Sequence, residues 1–400
     1  LAILLVLEAA RRAVGLPITI IAGVFLVYGV FGDFFPGFLA HRGQSIENLT
    51  HLMFYTTDGI LGTPLSVSAT YIVVFLLFAA FLVKTGVGQY FNDLAVAVAG
   101  KLIGGPAKVA IFSSALQGTI SGSSVANVVT SGSYTIPMMK KLGYKKEFAG
   151  AVEASASTGG QLMPPIMGAA AFLMVDFIGR GITYWDIAKA AAIPALLYFT
   201  GIWIMTHFEA KRLGLKGLTE EEMPNRKEVF KKIYLLTPIV LIIVLMVTGT
   251  HVAHAALYGI LACIVVGFIN PDVKLGIKEL IEALADGARS ALAVAAATAC
   301  AGIIVGVVVK TGLGLSLATS LVKLAGGSIL LTLIFVMFAS LILGMGAPTT
   351  ANYVITSTIA APAIITLLAP GVSQDMLPIV VLLSAHFFVF YFGIIADITP

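Results

Sequence analysis

Two short polar breaks interrupt an apolar chain, and both carry residue types that bind ions through neutral oxygens. The first is Ser121-Gly122-Ser123-Ser124, followed by Asn127. The second is Gly344-Met345-Gly346-Ala347-Pro348-Thr349-Thr350, followed by Asn352. Hydroxyl and amide oxygens without fixed charge suit Na+, and glycines beside them let backbone carbonyls approach closely. A helix that starts after such a break offers free N–H groups and a positive dipole end; a helix that stops before it offers free carbonyls. An anionic group fits the first end and a cation the second. Two further interruptions join the set: Gly159-Gly160-Gln161-Leu162-Met163-Pro164-Pro165 and Gly393-Ile394-Ile395-Ala396-Asp397-Ile398-Thr399-Pro400. The candidate Na+ ligands are therefore Gly122, Ser123, Ser124, Asn127, Gly159, Gly160, Gly346, Thr349, Thr350, Gly393 and Asp397. Candidate groups for an anionic ligand are Ser123, Asn127, Gln161, Thr349 and Asn352. Asp397 is the one acidic residue in these breaks, and a carboxylate inside an apolar segment marks function by default.

Composition says what must position these groups. Hydrophobic residues make up 58% of the 400 and charged residues 11%, a balance no soluble domain has, so the chain reads as an all-α polytopic membrane protein. The net charge of +4 calls for a membrane explanation and not for a nucleic acid. Helix-compatible arms over 106–117 and 125–140 flank the first break. A dozen residues reach roughly 20 Å, short of a hydrocarbon core of about 30 Å. This predicts a re-entrant hairpin whose tip is buried in protein or lines a wet cavity, because lipid cannot pair a broken backbone.

In chain order, 14–31 and 67–83 read as spans around an amphipathic stretch, 36–62. An amphipathic connector, 87–102, leads into the hairpin, and a long helix over 148–178 is broken at 159–165. The segment 187–207 spans, 209–232 is a solvated polar loop, and 233–250 and 252–269 span as a pair. An amphipathic stretch at 272–289 precedes a span at 290–309. The pattern then returns, with a connector at 312–324, a hairpin of 328–343 and 351–368, and a helix over 377–392 that runs into the last interruption. The expected divisions are scaffold and first arm, 1–105; first hairpin and broken helix, 106–178; scaffold, polar loop and second arm, 179–327; and second hairpin and broken helix, 328–400. Interruptions at matching places in two halves point to inverted repeats, each with a re-entrant hairpin and a discontinuous helix. Charge supports the inversion. With Arg11 and Arg12 inside, only Arg42, Arg180, Lys189, Lys310 and Lys323 of the 24 basic residues fall outside, as the positive-inside rule requires.

Plainer roles fit other residues. Cys263 and Cys300 lie in apolar segments as packing residues, Trp185 and Trp203 read as interface anchors, and His386 is a packing histidine. Glu153 is either a proton carrier or a residue near the basic cytoplasmic end. No histidine or cysteine spacing suggests a metal centre beyond Na+. The chain begins without Met and stops inside a motif, so it reads as a piece of a longer protein.

Four stretches carry a resemblance. GTISGSSVANVVTSGSYTIPMM, EFAGAVEASASTGGQLMPPIMGAAAF, LGMGAPTTANYVITSTIAAPA and AHFFVFYFGIIADITP occur in this order and resemble the large membrane subunit of TRAP transporters, the tripartite ATP-independent periplasmic transporters. The resemblance covers essentially the whole chain and is best for fused permeases that work with TAXI-type binding proteins. It implies an elevator-type, Na+-coupled importer in a bacterial inner membrane. Such an importer takes a small organic carboxylate from a periplasmic binding protein and works with a small membrane subunit, separate or fused. It implies no cofactor, and ion and substrate sites built by both hairpin tips and both broken helices. The modules 106–178 and 328–400 should then move together against the scaffold. The partner should dock on 36–62, 179–186 and 310–324, where Arg42, Arg180, Lys310 and Lys323 lie. Two other readings stay open: a carboxylate transporter of related architecture that needs no binding protein, and an intramembrane serine hydrolase using Ser121 or Ser123 with His386 as base.

Overall fold

The computed structural model describes residues 1–399 except 165, 274 and 373–375. Pro165, Lys274 and Pro400, used above, lie outside the described residues. Among the described residues every regular element is helical. Among the described residues seven helices are long and apolar enough to cross a membrane: Thr63–Lys84, Tyr184–Arg212, Glu220–Val247, Val252–Ile269, Ile277–Thr311, Thr349–Leu368 and Ile379–Ile398. The chain forms two compact units.

One unit comprises Val73–Gly168 and Tyr184–Arg289. It contains the connector Val87–Ala99, the hairpin helices Gly105–Ser121 and Ser124–Leu142, and the first broken helix, which begins with Lys146–Gly159. Its core is rich in small side chains, with Ala107, Ala110, Ala149, Ala156 and Ala210 packed among Ile111, Met139 and Phe199. Small residues let helices approach closely where lipid supplies no hydrophobic drive. The hairpin helices have 17 and 19 residues, because Ser121 and Ser124 are helical and only Gly122 and Ser123 form the break. They reach roughly 26 and 28 Å, longer than the sequence suggests yet short of a bilayer core of about 30 Å.

One helix differs from expectation. Where a boundary at 289/290 is expected, Ile277–Thr311 is a single helix. No proline interrupts it, and Gly287 accepts the Leu77 side chain against its Cα, where a methyl would lie 2.7 Å from Leu77 Cδ2. The polar loop is largely exposed, as expected, and is also docked. The preceding helix continues to Arg212, and a Thr219–Glu222 capping box stops the chain beside it. The Leu218 N–H donates to the Gly100 carbonyl at 2.8 Å. Lys101 pairs with Glu220, and Lys141 with Glu222 at 2.9 Å. Its exposed charges also tie the loop to the end of the connector and to the returning hairpin helix.

The other unit comprises Leu1–Ile72, Ala169–Thr183 and Ser290–Pro400. It contains the second connector, Leu313–Leu324, and the second hairpin, Ile329–Gly344 with Thr349–Ile359. The returning arm divides again at Ala360, because Pro362 starts a new helix, Ala361–Leu368. The second broken helix runs Ile379–Ile395 and ends in a 3-10 turn, Ala396–Ile398. Ala318, Ala360, Ala361, Ala363 and Ala385 again supply close packing. Arg180 sits between Gly179 and Gly181, all three with positive φ, and its guanidinium donates to the Leu377 carbonyl before the second broken helix. One of the charges expected to face a partner is thus also an internal tie.

The packed loop makes a measurable difference. A Cβ on Gly217 would lie 2.3 Å from the Lys101 carbonyl oxygen, whereas one on Gly201, in the helix Tyr184–Arg212, meets nothing within 4 Å. Gly217→Ala should lower stability by about 1–3 kcal/mol in thermal unfolding of the purified protein, and Gly201→Ala should leave it unchanged or slightly raised. Equal melting temperatures for the two variants would contradict the docked loop.

Candidate functional site

The first tip is built by three glycine contacts and one amide. The outgoing helix ends at Gly122, whose φ of 53 lets its N–H return to the Gly118 carbonyl at 3.3 Å. Ser123 is extended and caps the returning helix, its Oγ accepting the Ala126 N–H at 3.3 Å. Ser121 Oγ donates to Asn127 Oδ1 at 2.5 Å, and the fully buried Asn127 donates from Nδ2 to the Ser157 carbonyl at 3.4 Å. A Cβ on Gly118 would lie 2.2 Å from Gly160 Cα, and one on Gly160 would lie 2.2 Å from Asn127 Nδ2. A Cβ on Gly122 would lie 2.1 Å from Gly168 Cα. Backbone therefore meets backbone where the hairpin tip crosses the broken helix.

The broken helix supplies the other side. It passes from Lys146–Gly159 into a 3-10 turn, Gly160–Leu162, and resumes as Ala170–Ile178, so the interruption begins at Gly159 as expected and the helix resumes only at Ala170. Gly159 and Gly160 divide their work. The Cα of Gly160 faces Asn127, while a Cβ on Gly159 would meet the Tyr198 ring at 2.4 Å. Gln161 is fully buried beside them. Ser124 is the first residue of the returning helix.

The second tip repeats the design with a longer break. Residues 345–348 separate Ile329–Gly344 from Thr349–Ile359, with Gly346 at φ 69 and Pro348 leading into the returning helix. Asn352 is the fourth residue of its helix, as Asn127 is of Ser124–Leu142. Its Nδ2 donates to the Gly393 carbonyl at 2.6 Å. A Cβ on Gly344 would lie 2.4 Å from the Gly393 oxygen, and one on Gly393 would lie 2.3 Å from Asn352 Oδ1. Gly393 is inside the helix Ile379–Ile395, not in an unwound stretch. Asn352 Oδ1 is buried and has no hydrogen-bond partner among the described residues. An acceptor buried without a donor is costly, and a cation satisfies it as well as a hydrogen would. Thr350 is buried next to it, and Thr349 opens the helix. Asp397 lies in the terminal 3-10 turn and is exposed.

Gly118 and Gly344 escaped the sequence reading as site residues, although each lies eight or nine positions before its asparagine. The polar support of the first tip also escaped it. Gln117 Nε2 donates to Asn92 Oδ1 at 3.1 Å, and Thr130 Oγ1 donates to Gln117 Oε1 at 2.6 Å. Lys108 is buried, with Nζ 3.0 Å from His207 Nδ1 and 5.2 Å from the Trp203 ring centroid. The serine-hydrolase reading finds no support in the geometry. Ser121 is engaged with Asn127, Ser123 caps a helix, and His386 Nδ1 is 2.7 Å from the Tyr353 hydroxyl.

Comparison with known proteins follows this geometry. The family model described as "Tripartite ATP-independent periplasmic transporter, DctM component" matches residues 1–400. The C4-dicarboxylate TRAP transporter large permease protein DctM of Vibrio cholerae is 26% identical over 281 residues, 68% of this chain and 57% of the relative. The sialic acid TRAP transporter large permease protein SiaM of the same species is 26% identical over 227 residues, 54% of this chain and 52% of the relative. The aligned part is thus about half the length of these relatives. Among solved structures, the Alcanivorax borkumensis YdaH transporter has a TM-score of 0.55 and covers 99% of this chain and 97% of its own. At 14% identity it speaks for the fold alone.

The glycine contacts make a prediction that holds whatever the ligand. Gly118→Ala and Gly160→Ala should each destabilise the protein by about 2 kcal/mol or more, because backbone cannot move aside as a side chain can. Gly150→Ala, in the same broken helix with nothing within 4 Å, should be neutral. Thermal unfolding of the purified variants decides, and tolerance of alanine at 118 and 160 would refute the backbone crossing.

Proposed function

The chain belongs to the DctM component family of tripartite ATP-independent periplasmic transporters, and on that premise we propose that it is the permease of a Na+-coupled importer for a small organic carboxylate. Na+ is cargo here and not a resident cofactor. The observation that carries this reading is the repeated asparagine–glycine crossing, above all the buried, unpaired Oδ1 of Asn352 beside Gly344 and Gly393. Na+ would be held at the first tip by Ser123, Ser124, Asn127 and carbonyls of Gly122 and Gly160, with Gly159 behind them. At the second tip Gly346, Thr349, Thr350, Gly393 and Asn352 would take that role. Asp397 would contribute charge near the second tip. The substrate carboxylate would meet the N-terminal ends of the returning helices and the polar groups Ser123, Asn127, Gln161, Thr349 and Asn352.

The same reading supplies partners and motion. A periplasmic binding protein of the TAXI type would deliver the carboxylate, and a small membrane subunit, separate or fused, would complete the assembly in a bacterial inner membrane. The exposed Arg42, Lys310 and Lys323 would steer the encounter. The hairpin modules would move as an elevator, with the connectors as arms.

The test is uptake by the full-length protein reconstituted in liposomes with its binding protein. Uptake should require an inward Na+ gradient and added binding protein. Asn352→Ala should raise the Na+ concentration for half-maximal uptake about tenfold or more, the loss expected for one ligand of a hydrogen-bonded buried site. Full uptake driven by a proton gradient in Na+-free buffer would overturn the coupling, and full uptake without the binding protein would remove the partner.

A further inference from the structure

Glu153 is fully buried in the unit that holds the first hairpin, and it is surrounded by hydroxyls from three helices. Ser114 of the outgoing hairpin helix donates to Oε1 at 3.2 Å, and Ser157 of its own helix donates to Oε1 at 3.0 Å. Ser131 of the returning hairpin helix also donates to Oε1, and Thr135 of that helix donates to Oε2. An ionised carboxylate has about four acceptor positions. Three of these contacts fall on Oε1 and one on Oε2, and each hydroxyl can donate to the carboxylate. Hydrogen bonds donated to a carboxylate favour its ionised form.

That anion has no basic partner. Among the described residues no lysine, arginine or histidine pairs with Glu153. Lys108 and His207 contact each other, Lys141 pairs with Glu222, and Lys146 with Glu147. Neutral donors stabilise a buried charge but do not balance it, and an unbalanced charge in a membrane segment is expensive. The cage also leads directly to the tip. Ser157 bonds Glu153 through its hydroxyl and accepts from Asn127 through its carbonyl, and Asn127 accepts from Ser121. Ser131 Oγ also lies 2.7 Å from the carbonyl oxygen of the same asparagine, so its one hydrogen is shared between that carbonyl and Glu153.

We propose that Glu153 supplies the buried negative charge against which a cation is bound at the first hairpin tip, acting as a positioning residue through Ser157 and Asn127. The carboxylate does not ligate the ion; the hydroxyls that surround it hold it one layer away. It makes a cation the charge this tip prefers, and neutral oxygens alone would do so more weakly. This inference rests on the reading of the tip as a cation site.

The experiment separates the two. Thermal unfolding of the purified full-length protein is followed as NaCl replaces choline chloride at constant ionic strength. Na+ should raise the wild-type melting temperature. Glu153→Gln should need about tenfold more Na+ for half of that rise, as expected for one unit charge acting across roughly two hydrogen bonds. Thr135→Val removes one cage donor and keeps the charge; it should lower the baseline melting temperature yet keep the Na+ midpoint within about twofold. Glu153→Asp, which keeps the charge and shortens its reach, should also retain Na+ stabilisation, and it carries the test by itself where the Gln variant does not fold. A wild-type Na+ midpoint in Glu153→Gln, an equal loss in Glu153→Gln and Thr135→Val, or a full loss in Glu153→Asp would each overturn the role of the charge. A wild-type protein that Na+ does not stabilise would remove the cation site itself and leave nothing for Glu153 to balance.

Discussion

A helix broken inside a membrane protein must find partners for the backbone groups it releases, and this chain finds them by crossing glycine against glycine. The contact of Gly118 with Gly160 brings the hairpin backbone so close to the broken helix that no Cβ fits. Asn127 and Asn352 are then within reach of carbonyls on the broken helices, and each spends its amide N–H2 there. Both asparagines are buried, so the remaining oxygens at these crossings need protein donors or an ion. The alanine-rich cores and the length of the hairpin arms serve this contact, because a tip displaced by one methyl group would lose it.

Much of this arrangement is legible in the sequence because the physics that makes it is local. The serines and glycines at 121–124 and the run 344–350 are conspicuous in a chain that is 58% hydrophobic. The asparagines follow at a constant offset from each returning helix start. Propensity misplaced the ends: Ser121 and Ser124 were read as breakers, yet they complete their helices because tertiary contacts hold the turn. Composition read the polar loop after Arg212 as solvated, which it largely is, but could not show that its glutamates pair with Lys101 and Lys141.

The less visible part depends on which way a residue faces. Gly159 and Gly160 are indistinguishable in a sequence, but one packs on the Tyr198 ring and the other on Asn127. Ser114, Ser131, Thr135 and Ser157 are ordinary membrane-helix hydroxyls when read singly, since each can bond back to its own helix. Only their convergence from three helices on one carboxylate reveals the cage, and Glu153 without them reads equally as a proton carrier or as one acidic residue near a basic end.

The two repeats share this geometry but not its charge. Glu153 precedes Gly160 by seven residues, and His386 precedes Gly393 by seven. Ser114 precedes Gly118 by four, and Ser340 precedes Gly344 by four. Ser131 and Thr356 each follow their asparagine by four. With a carboxylate at the centre, Ser114 and Ser131 turn inward onto it. With an imidazole there instead, engaged with Tyr353, the second set has no anion to serve. Thr356 bonds back to the Asn352 carbonyl at 2.9 Å, as Ser131 does to the Asn127 carbonyl at 2.7 Å, while Ser340 Oγ is buried without a partner among the described residues. The two tips therefore share one backbone design but differ in the titratable group behind it: a buried carboxylate at the first and a buried imidazole, engaged with Tyr353, at the second.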